Sequence, residues 1–266
     1  SVTLEYHRGT IVIKGLDSLP YSTIDSRTNS LCSFGKNYKK ITEYLEEKNI
    51  KYEDHVLDLL PLGHLPKIKV KLRDYQKGAI EHWRKEKMGS IVLPTGAGKT
   101  IVGLKIIEIV NSPTLIVVPT LDLVKQWTKI LSQSFNIEIG NIGGGTENIQ
   151  AITVSTYDSA YIKAQSIGNK FLLIVFDEVH HLPAPSYRLI AETFVAPYRL
   201  GLTATIERED HLEEDFPYLI GKSTFRISAD ELAKNNYLAN YTIERKQTYM
   251  SKEEYQKYKE NMTIYH

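Results

Sequence analysis

Short apolar runs alternate with helix-like segments between residues 90 and 205, and this pattern predicts an α/β domain. Each run is almost wholly apolar, which is typical of strands buried on both faces of a parallel sheet. We therefore expect helices to cover both faces of that sheet. The predicted strands are Ile91–Leu93, Thr114–Val118, Ile152–Ser155, Leu172–Phe176 and Arg199–Leu202, and the predicted helices are Thr100–Val110, Leu121–Ser134, Asp158–Gln165 and Ser186–Phe194.

Residues 1–66 have a different pattern, which predicts a small α+β domain. Val2–Tyr6 and Thr10–Lys14 are rich in β-forming residues and are separated by an Arg-Gly turn, so two strands are expected there. Tyr38–Lys48 carries apolar residues at helical spacing and predicts a helix. Proline and glycine are concentrated just before residue 66, where we place a domain boundary.

The segment Lys67–Arg73 alternates strictly between basic and apolar residues. In a strand, this alternation would put all of its basic side chains on one face. Two interpretations remain open, namely a basic ridge near phosphates and an edge strand that uses lysine against aggregation.

Composition and charge narrow the class of protein. Of 266 residues, 42% are hydrophobic and 24% are charged, which indicates a folded chain rather than a disordered one. The mean hydropathy is −0.28, and no apolar run is long enough to span a bilayer or to form a secretory signal. Cys32 is the only cysteine, which excludes an internal disulfide and fits a reducing compartment. The net charge of +1 combines +4 over residues 1–90 with −5 over residues 91–220, so a local basic surface is possible.

The strongest chemical signal is the sequence PTGAGKT at residues 94–100, between a predicted strand and a predicted helix. Small residues let the backbone approach phosphates, and the helix N-terminus favours negative charge. Lys99 would reach the β- and γ-phosphates of ATP, and the Thr100 hydroxyl would bind Mg²⁺. The strict phosphate-loop pattern has glycine where this chain has Leu93. The other nucleotide-binding residues expected in the loop are Thr95, Gly96, Ala97 and Gly98.

A second signal is the apolar strand that ends in Asp177 and Glu178, followed by His180. Such a sheet places ligand-binding groups at the carboxyl ends of its strands. Asp177 would hold Mg²⁺, and Glu178 would position or deprotonate the attacking water. A third signal is the sequence GLTAT, in which Thr203 and Thr205 could bond to the region of Asp177 and His180.

In this order and spacing, GAGKT, DEVH and TAT resemble the first RecA-like domain of superfamily 2 helicases, in which the first loop position is commonly not glycine. The resemblance implies that Gln76 bonds the adenine edge and that Arg73 lies against the ring. It makes His180 part of the catalytic set. It also implies a set of DNA-contacting residues, namely Pro119, Thr120, Thr156, Thr203 and Thr205.

The DEVH sequence with a second histidine, together with the Arg-Glu-Asp element just after TAT, is similar to XPB-type DNA helicases, which open DNA in transcription factor IIH and in archaea. The resemblance implies that Arg208, Glu209 and Asp210 act where the strands separate. It implies a damage-recognition domain at residues 1–66, a first RecA-like domain at 67–220, and a linker with the start of a second lobe at 221–266. In that last part, Ser228–Lys234 predicts a capped helix.

By this resemblance, the chain is the N-terminal half of an ATP- and Mg²⁺-dependent 3′ to 5′ helicase or translocase. It would act on single-stranded or junction DNA and on damaged duplex, in nucleotide excision repair and transcription. The implied partners are the second lobe and a repair nuclease or a transcription factor. No membrane partner is expected. The location would be cytoplasmic and nucleoid-associated in archaea, or nuclear in eukaryotes. Other interpretations are a nucleotide-gated DNA-binding module, a restriction translocase or an RNA helicase.

Overall fold

The computed structural model describes residues 1–182, 184–204 and 219–235. Within them lie two sheets, one of five strands and one of eight. No helix of this described part is both long and apolar enough to cross a membrane.

The five-stranded sheet lies near the N-terminus and has the strand order β3-β4-β2-β1-β5. Alternate residues of β1 and β2 are buried with one face of α1, as the period-two and helical patterns predict. The Arg-Gly turn between β1 and β2 has both residues at positive φ, which suits the twist of a tight hairpin. The elements are β1 (Val2–His7), β2 (Thr10–Lys14), β3 (Thr23–Asp25), β4 (Ser30–Phe34), a 3-10 helix (Gly35–Asn37), α1 (Tyr38–Glu47) and β5 (Tyr52–His55).

The eight-stranded sheet has the order β13-β6-β12-β11-β7-β10-β8-β9, and every neighbouring pair except β8 and β9 is parallel. The predicted parallel α/β domain is therefore confirmed. Its elements are α2 (Asp74–Arg84), β6 (Met88–Val92), α3 (Lys99–Val110), β7 (Thr114–Val118), α4 (Leu121–Phe135), β8 (Gly140–Gly143), β9 (Thr146–Asn148), β10 (Ile152–Thr156), α5 (Tyr157–Ile167), β11 (Leu173–Asp177), a 3-10 helix (Val179–His181), α6 (Pro185–Thr193), β12 (Tyr198–Thr203), β13 (Thr224–Arg226) and α7 (Ala229–Asn235).

The edge-strand interpretation of Lys67–Arg73 is wrong, because that segment has no regular secondary structure. The alternation holds in part, since the basic residues are exposed and Ile68 and Leu72 pack against the core of the larger domain, whereas Val70 is exposed. Side chains of α3 take the place of a neighbouring strand. Glu108 accepts from the amide of Ile68 at 2.7 Å, so the backbone donor is satisfied without a sheet.

The eight-stranded sheet extends beyond residue 220, where we expected the first motor domain to end. β13 pairs with β6 in parallel, with Phe225 opposite Ile91 and fully buried. α7 follows it at once. Its start is the predicted cap, because the Ser228 hydroxyl accepts from the amide of Glu231 at 3.0 Å.

The two domains contact each other through side chains that donate to backbone carbonyl groups and through one close approach of the backbones. The Tyr6 hydroxyl donates to the carbonyl of Thr193 at the end of α6, at 3.0 Å. The Asn169 side chain donates to the carbonyl of Val56 at 2.9 Å. A Cβ on Gly35 would overlap the Thr193 carbonyl, so only glycine permits this close approach.

Candidate nucleotide-binding site

The loop between β6 and α3 has the backbone conformation that a phosphate cradle needs. Gly96 and Gly98 both have φ near +80°, at 82° and 84°. A Cβ on Gly96 would meet nothing within 4 Å, so this side of the loop is open. Leu93, which replaces the glycine of the strict pattern, is fully buried in the core under the loop. The departure from the pattern therefore lies on the core side of the loop.

Lys99, at the start of α3, lies between the carboxylates of Asp177 and Glu178. Its Nζ is 3.0 Å from Asp177 Oδ1 and also bonds Glu178 Oε1. Burial lowers the pKa of the Lys99 amine, but attraction to Asp177 and the hydrogen bond to Glu178 outweigh it, so the pKa stands above its ordinary value. Lys99 is therefore a cation that pairs with two carboxylates about 80 residues away in the sequence, and the three groups together keep one negative charge.

Asp177 is buried and held by two donors besides Lys99. Trp127 Nε1 in α4 donates to Asp177 Oδ2 at 2.8 Å, and the amide of Glu178 donates to Oδ1 at 2.9 Å. The Tyr157 hydroxyl donates to the Asp177 backbone carbonyl at 2.9 Å. These contacts fix the carboxylate at the carboxyl end of β11.

Glu178 has φ +52°, which is uncommon for a residue with a side chain. Just after it, His180 Nδ1 lies 3.1 Å from the Thr203 hydroxyl and 3.5 Å from Glu178 Oε2. The Thr203 carbonyl accepts from the amide of Leu93 at 3.1 Å. Thr203 therefore joins the loop to the acidic box, as the sequence suggested.

The residues at this site suit a magnesium ion that binds together with phosphates. Among residues 1–182, 184–204 and 219–235, no three His, Cys, Asp or Glu side chains gather into a metal cage. Mg²⁺ at nucleotide sites typically takes one or two protein oxygens and completes its shell with phosphates and water. Thr100, in the first turn of α3, and Asp177 provide oxygens of that kind.

Gln76 is placed beside the loop, but its amide is already bonded within the protein. Its Nε2 donates to the Ala97 carbonyl at 3.0 Å, and its Oε1 accepts from the amide of Arg73 at 2.9 Å. Tyr75 also donates to Ala97, at 2.6 Å. The predicted contact of Gln76 with adenine therefore stays a prediction, and it would use the second N–H and the second carbonyl lone pair of the amide.

A cavity of about 200 Å³ opens between the loop and α7. Arg73 and Thr95, both predicted to bind nucleotide, line it. The position of α7 beside the loop could not be predicted, because its apolar residues are few, namely Ala229, Leu232 and Ala233. The lining residues are Arg73, Tyr75, Pro94, Thr95, Gly96, Ala97, Ala229, Leu232 and Ala233.

Two predicted DNA-contacting residues, Thr120 and Thr156, lie at adjacent helix N-termini. Each caps its helix, since the Thr120 hydroxyl accepts from the amide of Leu123 at 3.2 Å and the Thr156 hydroxyl accepts from that of Ser159 at 3.1 Å. Strands β7 and β10 pair in parallel, so both helix starts open on one edge of the sheet. Thr120 is exposed with Pro119 beside it, whereas Thr156 is buried.

The remaining predicted DNA-contacting residues, Thr205, Arg208, Glu209 and Asp210, lie outside the described residues. The sequence analysis does not identify the residues that support Asp177, namely Trp127 and Tyr157. Trp127 is buried in the core and also bonds the carboxylate. The signal for it in the sequence is an aromatic residue with a polar atom on the apolar face of a helix.

Residues 69–208 match the family described as type III restriction enzyme, res subunit, and residues 4–56 match the xeroderma pigmentosum group B helicase damage recognition domain. The chain is 49% identical over 221 residues to DNA 3'-5' translocase XPB2 of Sulfurisphaera tokodaii, covering 83% of this chain and 50% of that protein.

The chain is also similar to more distant proteins. The general transcription and DNA repair factor IIH helicase/translocase subunit XPB/SSL2 of Saccharomyces cerevisiae is 28% identical, over 84% of this chain and 28% of that protein. The UvsW helicase of bacteriophage T4 has a similar fold, with a TM-score of 0.51 at 15% identity, over 83% of this chain and 98% of that one. The chain spans about half the length of the archaeal relative and a smaller share of the yeast relative.

Proposed function

We propose that this chain, which belongs to the XPB-type superfamily 2 helicases, is the ATP-binding part of a 3′ to 5′ DNA translocase. The observation that carries the proposal is the position of Lys99 between Asp177 and Glu178, beside an open glycine loop. A partly buried cation between two carboxylates can exchange those partners for the phosphates and metal of a bound nucleotide.

In this proposal, the loop amides and Lys99 bind the phosphates of ATP, and Thr100 and Asp177 hold Mg²⁺. The ion would neutralise charge on the phosphates. Glu178 positions the attacking water and accepts its proton. His180, bonded to Thr203, connects Glu178 to the start of the loop, so it is well placed to report the state of the phosphates.

We propose that residues 1–66 bind DNA and that the first motor domain begins at residue 67. Its expected end at residue 220 lies inside the eight-stranded sheet, which β13 continues, so β13 and α7 belong to the motor domain and a second lobe would follow them. Phosphoryl transfer in such motors uses arginine side chains, worth on the order of 10³-fold or more in rate. Of the arginines in the described part, Arg73 lines the cavity, and Arg199 is fully buried among carbonyl groups. We infer that the second lobe supplies the arginines and that DNA is moved as the cleft closes and reopens.

The test is translocation by the full-length protein on forked DNA and on duplex RNA of the same sequence, with Glu178→Gln as the inactive variant. We expect ATP-dependent movement on DNA that Glu178→Gln abolishes while ATP binding is kept. Movement on RNA alone would favour an RNA helicase. Equal movement by Glu178→Gln would overturn the assignment of Glu178.

A second candidate function, binding of distorted DNA by residues 1–66, is favoured by an aromatic and basic patch. Tyr21 and Phe34 are each 54% exposed at the end of the β3–β4 hairpin. Lys40 Nζ lies 5.2 Å from the ring centre of Tyr21, and Lys36 Nζ lies 5.5 Å from that of Phe34. Aromatic faces beside cations are suited to unstacked bases and their phosphates.

The change Tyr21→Ala with Phe34→Ala in the whole chain should weaken binding to damaged duplex more than binding to intact duplex. Ile24→Ala is the matched control, because Ile24 is exposed on the same hairpin but is not aromatic. Fluorescence anisotropy with the two duplexes measures the difference. Equal affinity of the unaltered chain for both duplexes would remove this candidate.

A further inference from the structure

The cavity beside the phosphate loop has a wall that comes from α7, a helix beyond the last strand of the sheet. We propose that α7 forms the base-binding wall of the nucleotide site and that Leu232 contacts the purine ring. This inference rests on the proposed function, because it assigns the part of the site that would hold the base of ATP.

The position of α7 is fixed by the strand that leads into the phosphate loop. β13 pairs with β6 so that Arg226 lies opposite Val92, and the amide of Ile227 donates to the Val92 carbonyl at 3.2 Å. The chain then turns into α7, whose Leu232 amide donates to the Ser228 carbonyl at 3.0 Å. Both the loop and α7 therefore leave the same edge of the sheet side by side.

The side chains that α7 presents to the cavity can pack against the flat, apolar face of a base. Ala229 and Ala233 are small and leave room in the cavity, while Leu232 packs partly against the core of the motor domain and is also part of the cavity wall. Arg73 lines the cavity too, and a guanidinium can lie against an aromatic ring.

Packing contacts contribute to base binding at this end of the site, because Gln76 does not line the cavity whereas Leu232 does. Gln76 instead bonds the backbone at Ala97 and Arg73. The hydroxyl of Tyr75 also donates to Ala97. A base that enters the cavity would therefore contact Leu232.

Comparing two ligands distinguishes the contribution of the base-binding wall from that of the phosphate loop. We would measure the dissociation constants of Mg-ATP and of inorganic tripolyphosphate, which has no base, by calorimetry on the whole chain. Leu232→Trp fills the cavity and should weaken ATP binding about tenfold or more, while tripolyphosphate binding changes less than about twofold. Leu232→Ala should also weaken ATP binding alone, by a smaller factor.

Lys234→Ala is the matched control, since Lys234 is an exposed residue of the same helix that does not line the cavity. It should bind both ligands as the unaltered chain does. Unchanged ATP affinity in Leu232→Trp, or an equal loss of both ligands, would overturn the role of α7 and leave the phosphate site in place. Failure of the unaltered chain to bind either ligand would instead overturn the proposed function and this inference with it.

Discussion

At the scale of single residues, the site depends on groups that are far apart in sequence and meet at the carboxyl edge of one sheet. Lys99, Asp177 and Glu178 could be found from the sequence, because each follows or begins an element with a strong apolar pattern. Trp127 could not be assigned to the site, because the apolar spacing of α4 shows which face is buried but not that this face meets the end of β11. Its bond to Asp177 is a product of tertiary packing.

Trp127→Phe keeps the ring in the core and removes the donor to Asp177 Oδ2. Loss of a partner that orients a metal-binding carboxylate typically weakens metal affinity by about 10- to 100-fold. We expect the Mg²⁺ concentration for half-maximal ATP hydrolysis by the full-length protein to rise by about tenfold or more. Trp83→Phe is the control, since Trp83 is equally buried but donates to the carbonyl of Arg199. The same Mg²⁺ requirement in both variants would contradict the role of Trp127.

The two glycines of the phosphate loop should respond differently to alanine. Both have positive φ, so either change strains the backbone by about 1 kcal/mol or more. A Cβ at Gly98 would also overlap Gln76 Nε2, whereas one at Gly96 would point into open space. In equilibrium titrations, Gly98→Ala should bind ATP more weakly than Gly96→Ala. The reverse order would show that phosphates fill the space at Gly96.

At the scale of elements, Arg199 on β12 links several pieces of the larger domain. It is fully buried and donates to four carbonyl groups, and burial lowers its pKa to about 10. It remains charged at neutral pH, and this positive charge stabilises the C-terminal end of α6, where carbonyl groups point outward. The four accepting residues are Ala191, Phe194, Ala196 and Leu219.

Arg199→Met should lower the free energy of unfolding by about 3 kcal/mol or more, because buried carbonyl groups without donors each cost about 1 kcal/mol or more. Arg199→Lys keeps the charge with fewer donors, so its free energy of unfolding should lie between those of the unaltered chain and Arg199→Met. Urea unfolding at neutral pH measures both. A methionine variant as stable as the unaltered chain would show that water replaces the guanidinium.

The predicted elements differ from the structure where tertiary contacts outweigh local pattern. The buried strands of the larger sheet were predictable, because only strands covered on both faces need such continuous apolar runs. The alternation at Lys67–Arg73 predicted a strand, yet Glu108 satisfies the Ile68 amide from a helix 40 residues away. Thr224–Arg226 was too short to show a pattern, although its partner β6 fixes it firmly.

At the scale of the whole molecule, each domain contains tyrosine hydroxyls that are buried or hydrogen-bonded. Burial raises the pKa of Tyr6, Tyr38 and Tyr157 above their ordinary value of 10.0. Burial and a hydrogen bond to Glu46 raise the pKa of Tyr52 to about 12. Each hydroxyl therefore keeps its proton in the folded state at a pH where the unfolded chain releases it.

The stability from these tyrosines should be fully present below about pH 10 and should fall as the pH rises from 10 to 12, since the folded state then binds more protons. Urea unfolding at a series of alkaline pH values measures this fall. Tyr52→Phe removes one such proton and should flatten the decline. Stability that does not change across that range would contradict the expected shifts.

The most direct test of the ATP site is hydrolysis by this chain with and without forked DNA, together with Lys99→Ala and the control Lys105→Ala on the same helix. We expect slow turnover in both conditions, nucleotide binding that Lys99→Ala abolishes, and no effect of Lys105→Ala. Strong DNA-stimulated turnover that Lys99→Ala abolishes would contradict the need for a second lobe. Nucleotide binding that survives Lys99→Ala would contradict the site itself.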